Sequence, residues 1–468
     1  MTIDILPEDV LLEIFDHYVA EADENDEYEE WQILVHVCQK WRYVVFQSPL
    51  RLHLRIICSA GTPVREKLAA WPPLPIIIQQ YAPNKMCGED NIIAALGHND
   101  RVYKISLAIH SLLAERVFVA MQKTFMSLEY LWLGVLDYTT PVHPDSLLDG
   151  SAPRLRHFGL DHIRFRFSVL QKLLLSAANL VTLCLIDIPH SSYISPESMV
   201  TCLLALTKLE VLNIEFESPR SRPPRVGRHP PPSPSVLPAL TELKFVGVGR
   251  YLEDLVSRID APVLDYLDIT FFHQLQFDTP QLVQFISRAP KLKAFEEANV
   301  IFFDSRATIA LPGRDDPRLQ LGISCRRLDW QLSFLAQICT SSFPQALIPM
   351  LEHLRILDNE RLQPLRKDDS EDNQWLELFH PFTAVKNLYL SREVVPRIVP
   401  ALQGLIGERV TEILPNLQNI FMEDLWPSGS VPEMMRQFTA ARQLSGRPIT
   451  ISHWMSQDKW TTTDDIDY

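Results

Sequence analysis

Apolar residues fall into two patterns along this chain. Near the N-terminus Val10, Leu11, Ile14, Phe15 and Tyr18 recur at helical spacing and make one broad apolar stripe. The helix opens at Ile5-Leu6-Pro7-Glu8-Asp9. Pro7 suits the first helical position, where a missing N–H loses no partner, and the two carboxylates face the positive end of the helix dipole. Ile33, Leu34, Val37, Cys38, Trp41, Val44 and Val45 predict a second helix. It should end near Ser48-Pro49, because a residue before proline avoids the helical region. From Val102 onward the pattern changes: apolar residues recur at positions one, four and six of a short motif. Examples are Val102/Ile105/Leu107, Leu128/Leu131/Leu133, Leu155/Phe158/Leu160, Leu180/Leu183/Leu185, Leu209/Leu212/Ile214, Leu240/Leu243/Phe245 and Leu264/Leu267/Ile269. Later copies are Leu351/Leu354/Ile356, Val385/Leu388/Leu390 and Leu417/Ile420/Met422, and the copy at Leu292/Phe295 fails at its third position, Glu297.

Successive motif starts from Val102 to Leu292 lie 26, 27, 25, 29, 31, 24 and 28 residues apart. The next step, to Leu351, is 59, about two periods, and the segment Leu319-Gln320-Leu321-Gly322-Ile323 falls inside it. LxxLxL puts alternate side chains of a short strand on one face, where stacked neighbours bury them; the chain must then return by a helix or loop. Leu170-Leu173-Leu174-Ala177 and Leu252-Leu255-Val256-Ile259 have helical spacing in those gaps, and Ala152-Pro153, Ala261-Pro262, Ala289-Pro290 and Leu414-Pro415 stop a helix before the strand begins. This is the signature of a leucine-rich repeat. The competing reading, a doubly wound sheet, wants Gly-rich phosphate loops at its strand ends, and none is found. Residues 219–235, with seven prolines, four arginines and no carboxylate, read as an exposed polyproline-like insert between two repeats. A C-terminal cap is expected over 427–456, with a helix from Ser430-Val431-Pro432-Glu433 to about Leu444, stopped by Gly446, and a last strand at Ile449-Thr450-Ile451. The acidic tail 457–468 is expected to be disordered.

Residues 56–98 read as a joint and first repeat segment. There TPVREKLAAW predicts a short helix capped by Thr62 with Pro63 at its first position, and Ile76-Ile77-Ile78 predicts a strand. In residues 1–55, LPEDVLLEIF followed by VCQKWRYVVFQSPLRL resembles the F-box family. The stretch 49–81 resembles a segment that follows the F-box in a large group of mushroom-fungus F-box proteins, and that likeness extends with less motif strength over most of the chain. The resemblance implies a three-helix unit that docks on the Skp adaptor of SCF ubiquitin ligases. It implies that Leu6, Pro7, Val10, Leu11, Ile14 and Phe15 face the adaptor or support that face, with Leu34, Val37, Cys38 and Trp41 supplying the rest. The chain departs from the family in a longer interhelical loop, with seven carboxylates between Glu21 and Glu30, and in His53, near where many members carry tryptophan. The expected fold class is α/β: a helical F-box followed by an irregular leucine-rich-repeat solenoid over 99–426, its short parallel strands alternating with helices and loops.

Composition narrows the functions. A net charge of −14 argues against a general grip on nucleic acid or an anionic membrane. No stretch approaches the roughly 20 apolar residues that span a bilayer, and the acidic start lacks the basic region of a secretory signal. Seven scattered cysteines, never closer than 14 residues, form neither a disulfide framework nor a zinc motif. No P-loop, nucleophile elbow or HExxH occurs. His157 and His162 with Asp161 could be imagined as a catalytic group, but read better as polar residues on a repeat edge. The expectation is a non-enzyme in cytoplasm or nucleus, without cofactor or metal: the substrate-recognition subunit of an SCF-type ligase, monomeric within its complex, linking the Skp adaptor and cullin to a protein target. The other reading is a leucine-rich-repeat interaction scaffold without a ligase role.

Overall fold

The LxxLxL positions become strands whose apolar residues line up in buried rows within each compact unit. The computed structural model describes residues 6–20, 31–49, 51–80, 88–137, 146–219, 234–273, 277–313, 317–345, 347–358, 369–405, 407–423 and 431–454. The chain divides into two compact units, 1–192 and 193–468.

In the first unit three helices, α1 (Glu8–Ala20), α2 (Trp31–Val37) and α3 (Gln39–Gln47), precede the strands β1 (Ile56–Cys58), β2 (Ile76–Gln80), β3 (Val102–Ile109), β4 (Tyr130–Val135), β5 (His157–Asp161) and β6 (Thr182–Ile188). The strands pair in parallel in chain order. Ile78, Ile105, Leu131, Phe158 and Leu183 form one buried row, and Leu107, Leu133, Leu160 and Leu185 the next. Each buried Leu or Ile contributes roughly 1.5–3 kcal/mol by leaving water. The return helices are α4 (Val64–Ala70), α5 (Glu89–Leu96), α6 (Ser111–Ala120) and α7 (Phe167–Ser176). Leu170, Leu173 and Leu174 are the buried stripe of α7, as their spacing predicts.

In the second unit the strands are β7 (Val211–Phe216), β8 (Ser235–Val236), β9 (Glu242–Gly247), β10 (Ile259–Asp260), β11 (Tyr266–Phe272), β12 (Glu297–Phe302), β13 (Arg306–Pro312), β14 (Pro317–Ser324), β15 (His353–Asp358), β16 (Asn387–Leu390), β17 (Asn419–Glu423) and β18 (Thr450–Trp454). The helices are α8 (Pro196–Leu203), α9 (Gly249–Val256), α10 (Pro280–Arg288), α11 (Leu328–Ser341), α12 (Asp369–Phe379), α13 (Val395–Gln403) and α14 (Val431–Leu444). The main strands lie in the order β7-β9-β11-β14-β13-β12-β15-β16-β17-β18, and β8 and β10 form a separate small ladder. The helix and strand expected near the C-terminus are α14 and β18, with Gly446 in the left-handed conformation (φ 73°) just beyond the helix.

Four expectations need correction. The long second helix is two helices: Cys38 is extended (φ −159°, ψ 171°), and its sulfur accepts from the Trp41 N–H at 3.5 Å, so it ends α2 and caps α3. Thr62 does not cap α4; its hydroxyl instead accepts from the Ser59 N–H at 3.0 Å and closes the preceding turn. The strands are not all parallel. The 59-residue interval holds a meander in which β13 runs antiparallel to both β12 and β14. The connection from Phe302 to Arg306 is a tight turn, with Phe303 N–H donating to the Arg306 carbonyl at 2.8 Å, and so short a link joins only antiparallel strands. Finally, the failed motif at Leu292 is a shifted one: Ala298 pairs with Leu354 and Val300 with Ile356, so Phe295/Ala298/Val300 is the true copy and Glu297 lies on the outward face. Of the Pro-Arg insert, residues 220–233 lie outside the described residues, as do the acidic loop 21–30 and the tail 457–468; Ser235, at the insert's end, pairs with Ile259.

Candidate interaction surfaces

The ten N-terminal residues singled out in the sequence divide by burial. Leu11, Phe15 and Leu34 turn inward and are buried. Phe15 meets Trp41 edge-on at 4.8 Å, which joins α1 to α3. Leu6, Cys38 and Trp41 are half-buried, and the Leu6 carbonyl accepts from Lys40 Nζ at 2.7 Å. Pro7, Val10, Ile14 and Val37 face solvent. Val10 (40% exposed) and Ile14 (46%) stand four apart on α1, with Tyr18 next on the same line; Ile33 (59%) and Val37 (52%) stand four apart on α2, and Tyr43 (58%) is on α3. Ile33 and Tyr43 were not among the expected site residues. For Ile33 the signal was available: it leads Val37 by one helical turn.

The same helices are fastened to the repeats. Trp31 is buried, its indole N–H donates to the Arg55 carbonyl at 2.9 Å, and its ring meets Trp71 at 5.2 Å and Phe46 at 6.1 Å. Trp71 therefore joins α2 and α3 to the joint region. His53 stands in the left-handed region (φ 47°) in the turn after α3.

The outward faces of the strands carry the polar and aromatic residues. In the first unit one outward row is Lys104, Tyr130, His157 and Thr182; Lys104 Nζ lies 4.8 Å from the Tyr130 ring centre, and His157 Nδ1 is 3.1 Å from Thr182 Oγ1. Of His157, His162 and Asp161, the first thus bonds sideways to Thr182 on the neighbouring strand. The next row is Ser106, Trp132, Gly159 and Cys184. In the second unit His353, Asn387, Asn419 and Thr450 share a row linked by side-chain hydrogen bonds, of which Asn419 Nδ2 to Asn387 Oδ1 is 2.8 Å. Beside it Tyr389 stacks on Phe421 at 4.6 Å, and the Arg355 guanidinium lies 5.2 Å from the Tyr389 ring centre and 3.1 Å from Glu297. Arg, Tyr and Trp on an exposed sheet face are the side chains that anchor protein partners.

Among the described residues no three His, Cys, Asp or Glu side chains gather as a metal site, and no helix is long and apolar enough to cross a membrane. Cys202, Cys325 and Cys339 are free thiols. Burial pushes the Cys202 thiol up to about 11, and that of Cys339 higher still, so neither supplies a thiolate near neutral pH. A cavity of about 670 Å³ lies between α11 and α12, edged by Glu377, His380, Arg409 and Glu412. Trp375 is buried in the core, whereas Trp330 is a partly exposed edge residue stacked on His273 at 4.2 Å; Trp426 lies outside the described residues.

No protein-family model matches the chain, and no curated protein matches it significantly. Among solved structures, the leucine-rich repeat-containing protein LegL7 from Legionella pneumophila is similar over 77% of this chain and 97% of its own, at 13% sequence identity and a TM-score of 0.27. The chain itself presents a mixed α/β fold in which leucine-rich strands stack mostly in parallel and helices return between them, as in a leucine-rich-repeat fold.

Proposed function

We propose that this chain is a non-catalytic substrate receptor, in which α1–α3 dock on the Skp adaptor of an SCF-type ubiquitin ligase and the outward strand faces hold a target protein. The observation that carries the reading is the set of solvent-facing apolar side chains on three short helices: Val10, Ile14, Ile33, Val37 and Tyr43. Such side chains gain from being covered, about 25 cal/mol for each Å² removed from water. Leu11, Phe15 and Leu34 hold the patch from inside. The mechanism is proximity: a tethered target lysine experiences a raised effective concentration of the ubiquitin-loaded enzyme, and this chain contributes no nucleophile.

The packing of Trp31 on Trp71 supports a second reading, in which α1–α3 cap the repeats of a scaffold without a ligase role. Co-expression with the Skp adaptor separates the two. The parent chain should copurify with it, and Ile14→Asp with Val37→Asp should abolish that while leaving the circular dichroism spectrum unchanged, because both positions face solvent. A folded parent that fails to copurify with the adaptor rules out the receptor reading and leaves the scaffold.

A further inference from the structure

The second unit ends on a strand whose far side has no partner. β18 pairs with β17 in parallel, and among the described residues no strand lies beyond it. The starts of the last strands repeat one bond. His353 N–H donates to the Glu296 carbonyl, Asn387 to Glu352, Asn419 to Lys386 and Thr450 to Gln418, at 3.1, 3.1, 2.9 and 2.8 Å. Each acceptor immediately precedes the residue that the donor faces in register. The next acceptor in that series is the Ile449 carbonyl. Parallel ladders alternate, so Thr450, Ser452 and Trp454 turn their N–H and C=O groups to β17, while Ile451 and His453 turn theirs to the open side.

Side chains give this edge a chemistry. On the outward face Asn387 Nδ2 donates to His353 Nδ1, Asn419 Nδ2 to Asn387 Oδ1, and the Thr450 hydroxyl to Asn419 Oδ1. Every proton in the row points back toward β15. Thr450 has given its one proton to Asn419 and is exposed, so toward the open side its oxygen can only accept. On the opposite face Leu354, Leu388 and Ile420 form a fully buried row, and Ile451, its next member, is half-buried. The positions beside β18 therefore suit a donor side chain at one residue and an apolar side chain at the next. The pairs Asn387-Leu388 and Asn419-Ile420 fill the same two positions on β16 and β17.

We propose that β18 is a docking edge for an extended segment of a partner protein, added in parallel, with an asparagine beside Thr450 and an apolar residue beside Ile451. Backbone bonds to the edge give such a segment affinity, and the two side-chain positions give it register. The site belongs to the second unit alone and does not depend on adaptor docking.

The test pans phage-displayed random twelve-residue peptides on the full chain, with the His453→Pro chain as counter-selection. Proline there removes an N–H from the open edge and leaves the bonds to β17 in place. The expected result is enrichment of peptides that share an asparagine followed by an apolar residue. In fluorescence anisotropy with the best peptide, His453→Pro should cost about ten-fold or more. Replacing the peptide's asparagine with alanine should cost about two- to ten-fold on the parent, the size of one hydrogen bond, and almost nothing on Thr450→Val, where that bond is already gone. N-methylation of the asparagine's own amide, which faces the Ile449 carbonyl, should cost about ten-fold, whereas N-methylation of the next amide, which faces away from β18, should cost little. Ile14→Asp with Val37→Asp should leave affinity unchanged, so this result and adaptor copurification are read separately. The proposal is overturned if no peptides are enriched on the parent, if the enriched peptides lack the asparagine-apolar pair, if the two N-methylations cost the same, or if the parent is a dimer that His453→Pro dissociates, which would give the edge to a second copy.

Discussion

Asp161 ends a strand in the first unit with its carboxyl half withdrawn from water, and the cost of that placement is readable as a pH dependence. Burial is the main cause of its raised pKa of about 6, Asp187 adds to it, and His162 opposes it. The value for an unburied carboxyl is 3.8. A group whose folded pKa is raised favours the folded state below the unfolded value, and that contribution is lost as pH rises through the folded one. Ionised Asp161 thus destabilises the chain, a penalty absent below about pH 4 and complete above about pH 6. Asp161→Asn keeps the shape and removes the charge. It is expected to stabilise the chain by about 1–2 kcal/mol at pH 7.5, after allowance for the part of the carboxyl that solvent still reaches, and to bring no gain at pH 3.5. Urea titrations at the two pH values check this; an equal effect at both would show that ionisation is not the cause. In the sequence Asp161 looked like one polar group on a repeat edge. The residues beside it, Gly134 and Trp132, lie more than two dozen residues away and meet it only through strand register.

At the scale of elements, the repeats support one another's helix ends. The first backbone N–H of α6, at Ser111, finds no cap in the residue before it, and Asp137 of the next repeat accepts it at 2.9 Å. Likewise Glu253 on α9 accepts from Gln281 and Leu282 N–H at the start of α10, at 2.9 and 2.8 Å. The strand positions were legible because a two-residue period of Leu and Ile is local. These caps were not, because a capping search looks for a side chain adjacent to the helix. The break at Cys38 was hidden for a related reason: an apolar stripe of helical spacing runs through it, and only the backbone there leaves the helix. Arg442 on α14 is the strongest of these cross-repeat ties. It is fully buried and donates to the carbonyls of Val410, Leu414 and Leu417 at 2.9, 3.4 and 3.0 Å. Burial lowers its pKa, with Arg447 adding to the effect, yet a guanidinium remains charged near neutral pH. Arg442→Met fills similar space but takes the guanidinium from the Val410 and Leu417 carbonyls, at about 1 kcal/mol or more each, while the Leu414 carbonyl keeps the Leu417 N–H at 3.0 Å. The variant is expected to lose about 2 kcal/mol or more and to fray the last strands. Hydrogen exchange at Ile420 and Ser452 should accelerate together, and unchanged protection there would show that Arg442 is not what seats the cap.

For the whole molecule the physical question is how far a local loss is felt. Stacked repeats touch mainly their neighbours, so energy should couple over one strand spacing and fade beyond it. The first unit allows a direct test within one row of strands. Leu160 and Leu185 are register partners on β5 and β6, both buried. Ile56 is buried on β1, five strand spacings from β6, roughly 24 Å away at about 4.8 Å per strand. Leu160→Ala and Leu185→Ala should each cost about 2–4 kcal/mol, because each removes apolar contact and leaves a cavity. Made together, they should cost less than their sum by about 0.5–2 kcal/mol, since the second leucine has already lost the contact that the first removed. Ile56→Val, about 1 kcal/mol by itself, should add to Leu185→Ala within about 0.5 kcal/mol. Denaturant midpoints at constant slope give all five values. Strict additivity in the neighbouring pair would mean that the leucine rows do not carry the stacking energy, whereas strong coupling in the distant pair would mean that the unit unfolds as one tightly coupled core. The expected result, coupling near and none far, is what lets a repeat protein vary the outward residues of one repeat without disturbing the helices at its N-terminus.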